Sequence, residues 1–176
     1  MKPSFIFTAL LALAVSAGCS HGSAKRPNES PSPTASPART YPAGIVPPAN
    51  PRAALRAGIY PADPSGQCCF LAGRSLLTLN NPRDSQLVIF TFYVPSVRPF
   101  LNGPERVGVT FDGAAAGSAL LAPGEHNATF AIPKSVRNTA HLVATLTMST
   151  TYVPQKLGIN GDVRELSILL LKVGYI

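Results

Sequence analysis

The sequence predicts an all-β fold: a single antiparallel β-sandwich, jelly-roll-like, behind a signal peptide and a disordered Pro-rich tether. Three observations predict it. After Arg74, short runs of alternating apolar and polar residues recur between turns rich in Asn, Asp, Gly and Pro. No long stretch carries the three-to-four apolar spacing of an amphipathic helix. About 119 residues, from Gly58 to Ile176, remain after the signal and tether, enough to bury one core. The chain divides into residues 1–18 (signal), 19–57 (tether) and 58–176 (domain). Hydrophobic residues make up 45% of it but there is no Trp, so Val, Leu, Ile and Ala carry most of the packing.

The first element is the signal. Lys2 gives a positive start, and Phe5 to Val15 is an apolar run of 11 residues. That is too short for a helix to cross a hydrocarbon core of ~30 Å, and it fits the apolar region of a secretory signal. Ser16-Ala17-Gly18-Cys19-Ser20 follows. Small residues before a cysteine resemble a lipobox, the motif read by the bacterial lipoprotein peptidase, although Ser16 stands where Leu is frequent. The resemblance implies cleavage before Cys19, a thioether-linked diacylglycerol on Cys19 and an acylated amino terminus. Several acyl chains hold a protein on a membrane far better than one. The expected location is therefore the bacterial cell membrane, lipid-anchored and exported. Ser20 rather than Asp after the cysteine leans to the outer membrane in a cell that has two.

The second element is the tether. From His21 to Ala57 there are eight prolines. Proline fixes φ and lacks a backbone donor, so neither a helix nor a central strand survives that density. Ala53 to Ala57 has room for one helical turn. The formal charge of +7 points at first to nucleic acid. Its distribution argues otherwise. Residues 19–57 carry Lys25, Arg26, Arg39, Arg52 and Arg56 against Glu29, whereas the folded part holds nine basic residues against seven acidic ones. A nearly neutral domain gives no footprint for nucleic acid. A basic tether gains ~1 kcal/mol per charge beside an anionic membrane surface; a merely solvated linker is the other reading.

The strands follow in order. Ser75 to Asn80 ends in the turn Asn80-Asn81-Pro82-Arg83-Asp84. Gln86 to Val94 is β-branched and aromatic, and Pro95 stops it. Arg106 to Phe111 places Val107, Val109 and Phe111 on one face, and Asp112-Gly113 is a hairpin signal that returns the chain along Ser118 to Leu121. Pro123-Gly124 turns into Glu125 to Ile132, with His126, Ala128, Phe130 and Ile132 on one side. His141 to Ser149 alternates, and Glu165 to Tyr175 is the final strand, apolar on both faces at Ile168 to Leu171 and so expected in mid-sheet.

Catalytic constellations are missing from the sequence. It has no Gly-x-Ser-x-Gly elbow, no His-Glu-x-x-His and no Walker loop, and His21, His126 and His141 lack ligand spacing. The expectation is a protein that is not an enzyme and takes no metal or cofactor. Cys68 and Cys69 are neighbours, and in a strand their side chains point to opposite faces. Export permits disulfides. A vicinal disulfide, two independent thiols and a bridge to another chain all remain open.

The C-terminal pattern is more particular: Tyr152-Val153-Pro154, Gly158, then Gly161-Asp162-Val163-Arg164-Glu165-Leu166 before an apolar strand. With Gly58-Ile59-Tyr60 and Asp63, the run Gln86 to Pro95, and Pro123-Gly124 before a strand ending in Pro133, this resembles the β-sandwich accessory domains found with bacterial glycosyltransferases. Those domains look like carbohydrate-binding modules. The chain departs from the pattern at Asp63, where Glu is usual, at Cys69-Phe70, where a Trp or an aromatic pair is common, and at Ser167, where Gly usually follows Leu. Without Trp, stacking on sugars would fall to Tyr60, Tyr93, Tyr152 and Phe70. The resemblance implies that Asp162 and Arg164 contact sugar hydroxyls. The residues alone favour a salt bridge or loop clamp at the entry to the last strand, since Asp accepts from turn backbone donors and Arg donates to several oxygens. The expected function is a membrane-anchored, non-catalytic binding module of the cell envelope that contacts glycans. The competing expectation is a scaffold lipoprotein that binds an envelope protein through an edge strand or an apolar patch.

Overall fold

The computed structural model describes residues 40–61 and 68–176, and all of them fall in one compact unit. The signal, Cys19, the tether as far as residue 39, and Asp63 lie outside the described residues. Among the described residues nine strands form two antiparallel sheets: β1 (Ile59–Pro61), β2 (Cys68–Leu71), β3 (Arg74–Asn80), β4 (Leu87–Val94), β5 (Glu105–Phe111), β6 (Ala114–Leu121), β7 (Gly124–Ala131), β8 (His141–Met148) and β9 (Leu169–Tyr175). One sheet runs β1-β2-β9-β4-β7 and the other β3-β8-β5-β6. Setting β1 aside, the eight remaining strands have the order of a jelly roll, two four-stranded sheets filled by a chain that crosses repeatedly between them.

Alternation dictates the core. Phe90 and Phe92 on β4, Leu77 and Leu79 on β3, Val107 and Phe111 on β5, Leu142 and Leu146 on β8, and Leu170 on β9 are buried between the sheets. Phe90 stacks on Phe92 at 5.7 Å and meets Phe130 edge-on at 6.0 Å. The β5–β6 hairpin turns as its sequence predicts: Asp112 (φ 48°) and Gly113 (φ 82°) both take left-handed conformations, as a two-residue turn with both central φ positive requires. Asp112 also accepts from the Val143 N–H at 2.8 Å, which ties the turn to β8.

Three expectations need correction. The stretch from Thr40 to Ala57, read as tether, belongs to the folded part. Ile45 bridges Leu79 and is buried, the Val46 N–H donates to the Thr78 carbonyl at 2.8 Å, and the Asn80 N–H donates to the Gly44 carbonyl at 2.8 Å. This segment covers the open edge of β3, so its prolines sit where no ladder donor is needed. The helical turn forms as α1 (Pro51–Arg56), capped by Asn50, whose Oδ1 accepts from the Ala53 N–H at 2.8 Å, and it buries Ala54. Gly58 then passes so close to β3 that any Cβ would collide with the Arg74 carbonyl oxygen.

The second correction concerns the final strand, which starts at Leu169 rather than Glu165. The residues before it are held otherwise: Leu166 bridges Tyr152, and the Ser167 hydroxyl donates to the Thr150 carbonyl at 2.7 Å. β9 does lie mid-sheet, between β2 and β4. The third is that β6 begins at Ala114, four residues before the expected start, because its small residues pair with β5 from Ala114 to Leu121 apart from a bulge at Ala116.

Candidate binding face

Inward-facing Ile59, Leu71, Phe92 and Leu170 leave their strand neighbours on the outer face of the five-stranded sheet. Register aligns those neighbours into one row. Tyr60 on β1 pairs with Phe70 on β2, Phe70 with Leu169 on β9, Leu169 with Tyr93 on β4, and Tyr93 with Glu125 on β7. Tyr93 is 39% exposed, while Tyr60, Phe70 and Leu169 are half-buried. At ~4.8 Å per strand interval the row from Tyr60 to Tyr93 extends about 14 Å.

The next row is polar. Thr91 pairs with Lys172 on one side and Asn127 on the other, and its hydroxyl donates to Asn127 Oδ1 at 2.7 Å. A bulge beside Thr91 and Phe92 adds a residue to β9, so Leu171 and Lys172 both stand exposed. Beyond them Thr40, Tyr41 and Pro42 line an open hollow of about 320 Å³ together with Cys68 and Leu171.

Asp162 and Arg164 close the β1 end of the row. Arg164 Nε donates to both carboxylate oxygens of Asp162 at 2.9 and 3.0 Å, and Nη2 donates to Oδ2. The Arg164 guanidinium lies over the Tyr60 ring, 5.4 Å from its centre. Asp162 also orders its own loop. Its Oδ1 accepts from the Arg164 N–H at 2.9 Å, its N–H donates to Asn160 Oδ1 at 2.8 Å, and its carbonyl accepts from the Gln155 N–H at 2.9 Å. The hydrogen bonds from Arg164 hold the Asp162 carboxyl below the usual carboxylate range, and those same bonds raise Arg164.

Tyr152 is a neighbour of this clamp but not part of the surface. It is buried, meets Phe100 edge-on at 5.7 Å, and pairs with Leu166 through two backbone hydrogen bonds. Burial, and secondarily the Asp162 charge, push its hydroxyl pKa up. Of the aromatics expected to replace Trp, register thus brings three together and places Tyr152 in the core.

The cysteine pair departs from simple alternation. Cys68 is half-buried and Cys69 fully buried, yet their sulfur atoms are in contact across a cis peptide bond. Among the described residues no three His, Cys, Asp or Glu side chains gather as metal ligands.

No family model, curated protein or solved structure matches this chain. Tyr60, Phe70, Tyr93, Asp162 and Arg164 are conspicuous in the sequence as aromatics and a charged pair, whereas Leu169, Glu125, Thr91, Asn127 and Lys172 join them on this candidate face only through cross-strand register.

Proposed function

We propose that this domain is a non-catalytic binding module that takes an extended glycan across the outer face of its five-stranded sheet. We further propose that export and lipidation at Cys19 hold it at the cell envelope. What carries the reading is the row Tyr60–Phe70–Leu169–Tyr93, an aromatic and aliphatic strip beside the polar row Lys172–Thr91–Asn127. Sugar rings present flat apolar faces and hydroxyl edges, so a ligand of this class needs both surfaces side by side. Asp162 and Arg164 act in this reading as a clamp that fixes Tyr60, since each is already held by the other. Binding is weak, because each hydroxyl moved from water to protein gains only about 1 kcal/mol net.

The test is a glycan array probed with the full chain, followed by titration of Tyr93→Ala. Tyr93 is partly exposed, so the substitution leaves the melting temperature in place while affinity falls roughly fivefold, the loss of one stacking surface worth ~1 kcal/mol. A second reading rests on β6. It is the open edge of the four-stranded sheet, with neither charge nor proline over its eight residues, and Leu120 beside that edge is 57% exposed. Such an edge accepts a partner strand. A chain that binds no envelope glycan at millimolar concentration, yet captures one envelope protein in a manner lost on Ala115→Pro, overturns the glycan reading in favour of this one.

A further inference from the structure

At the end of the sandwich where β4 stops and β5 begins, two loops turn large apolar side chains to solvent. One holds the short helix α2 (Arg98–Leu101); the other runs from the 3-10 turn Pro154–Leu157 to Arg164. Five large apolar side chains among the described residues are at least half exposed, and three of them stand on these loops: Leu101 at 62%, Ile159 at 50% and Val163 at 66%. Neither loop is slack. Phe100 of α2 is buried and meets Tyr152, just before the second loop, edge-on at 5.7 Å. The Ile159 N–H donates to the Pro154 carbonyl at 3.0 Å, and the Gln155 N–H donates to the Asp162 carbonyl at 2.9 Å. An ordered backbone thus holds the apolar tips outward.

The charges between the tips are basic. Arg98 and Lys156 line one open hollow of about 430 Å³ with Val97, Leu157 and Ile159. No acidic side chain pairs with either cation among the described residues. The acids of the second loop are engaged elsewhere: Asp162 accepts from Arg164, and Glu165 accepts from the Thr151 hydroxyl. Exposed apolar side chains gathered beside polar groups mark a contact surface, and cations among them select an anionic partner. We propose that these two loops dock the domain on an anionic lipid surface. Leu101, Ile159 and Val163 enter the boundary between headgroups and acyl chains, and Arg98 and Lys156 meet the phosphates. Relief favours lipid over protein: separate tips with a hollow between them offer no flat face to a folded partner, whereas acyl chains flow around each tip. The contact rests on neither the glycan row nor Cys19. A lipid on Cys19 would keep the chain near a bilayer without orienting the domain; the loops set which end faces it.

The chain has no Trp, so a single introduced one reports its own surroundings. The test compares two variants of the full chain, Ile159→Trp and Val143→Trp, mixed with vesicles of equal parts phosphatidylglycerol and brominated phosphatidylcholine. Val143 is 39% exposed and lies toward the opposite end, where its N–H meets the Asp112 turn. Bromine on the acyl chains quenches a Trp that enters the bilayer. Ile159→Trp loses about half of its emission and shifts to the blue, as a side chain ~5–10 Å into the boundary does, while Val143→Trp keeps its own. Val163→Trp, at a second exposed tip, repeats the Ile159→Trp result. Omitting phosphatidylglycerol, or adding Arg98→Glu and Lys156→Glu to the Ile159→Trp chain, removes the quenching. A lipid anchor alone quenches both positions or neither, so failure of the docking surface is distinct from failure of the anchor. Equal quenching at the two positions, none at either, or quenching of Ile159→Trp that survives charge reversal overturns the proposal.

Discussion

Replacing Asp162 with alanine separates a structural clamp from a ligand group. The substitution removes a paired charge, an acceptor for the Arg164 N–H, and the anchor that keeps the guanidinium over Tyr60. The ion pair is discounted for solvent, because the Arg164 and Asp162 side chains are 35% and 20% exposed; it contributes ~0.5 kcal/mol. The hydrogen bond from a backbone N–H to a carboxylate adds ~1 kcal/mol, and the loosened cation–π contact ~0.5 kcal/mol. The sum is about 2 kcal/mol, or roughly 6–10 °C in melting temperature for a domain of this size. Asp162→Asn keeps the backbone acceptor and loses about half as much. The carboxyl is depressed below its unfolded value of ~3.9, so its stabilisation is complete above that pH and disappears as pH falls through the lower folded value. Thermal unfolding followed by circular dichroism at stepped pH therefore shows a constant gap between the parent and Asp162→Asn from pH 7 to about 5, closing below about 4. An Asp162→Ala chain that melts with the parent, while glycan binding is lost, refutes the clamp.

Two further outcomes follow from other parts of the chain. Ile45→Ala empties a buried site under the covering segment and costs ~2–4 kcal/mol, with new protease cleavage between Thr40 and Ala57; an unchanged digestion pattern would show that the segment does not hold the β3 edge. Cys19→Ala abolishes incorporation of a fatty-acid label and releases the protein from the membrane fraction, and equal retention of the variant removes the lipid anchor from the argument.

Local signals made the sandwich legible. Alternation in Ser75 to Asn80, Gln86 to Val94 and His141 to Ser149 and the Asp112-Gly113 turn are properties of neighbours in sequence, and strands stand at each of them. The segment around Ile45 was illegible because proline density argues against regular structure. Prolines are nonetheless tolerated on a stretch that caps an edge through only a few backbone bonds. The candidate face was half legible for a related reason. Tyr60 and Tyr93 are 33 positions apart in sequence, and only the insertion of β9 between β2 and β4 puts them in one row.

The position of β9 also bears on how the domain comes to exist in time. Among the described strands it comes last in sequence, yet it joins β2 to β4 within the five-stranded sheet. Until it arrives, β2 and β4 face each other as open edges, and the pairing it completes spans most of the domain in sequence. Closing so long a loop is slow, which places folding in the millisecond-to-second range of non-local β topologies. Among the described strands, the five-stranded sheet is therefore complete only once β9 has paired with both of its neighbours.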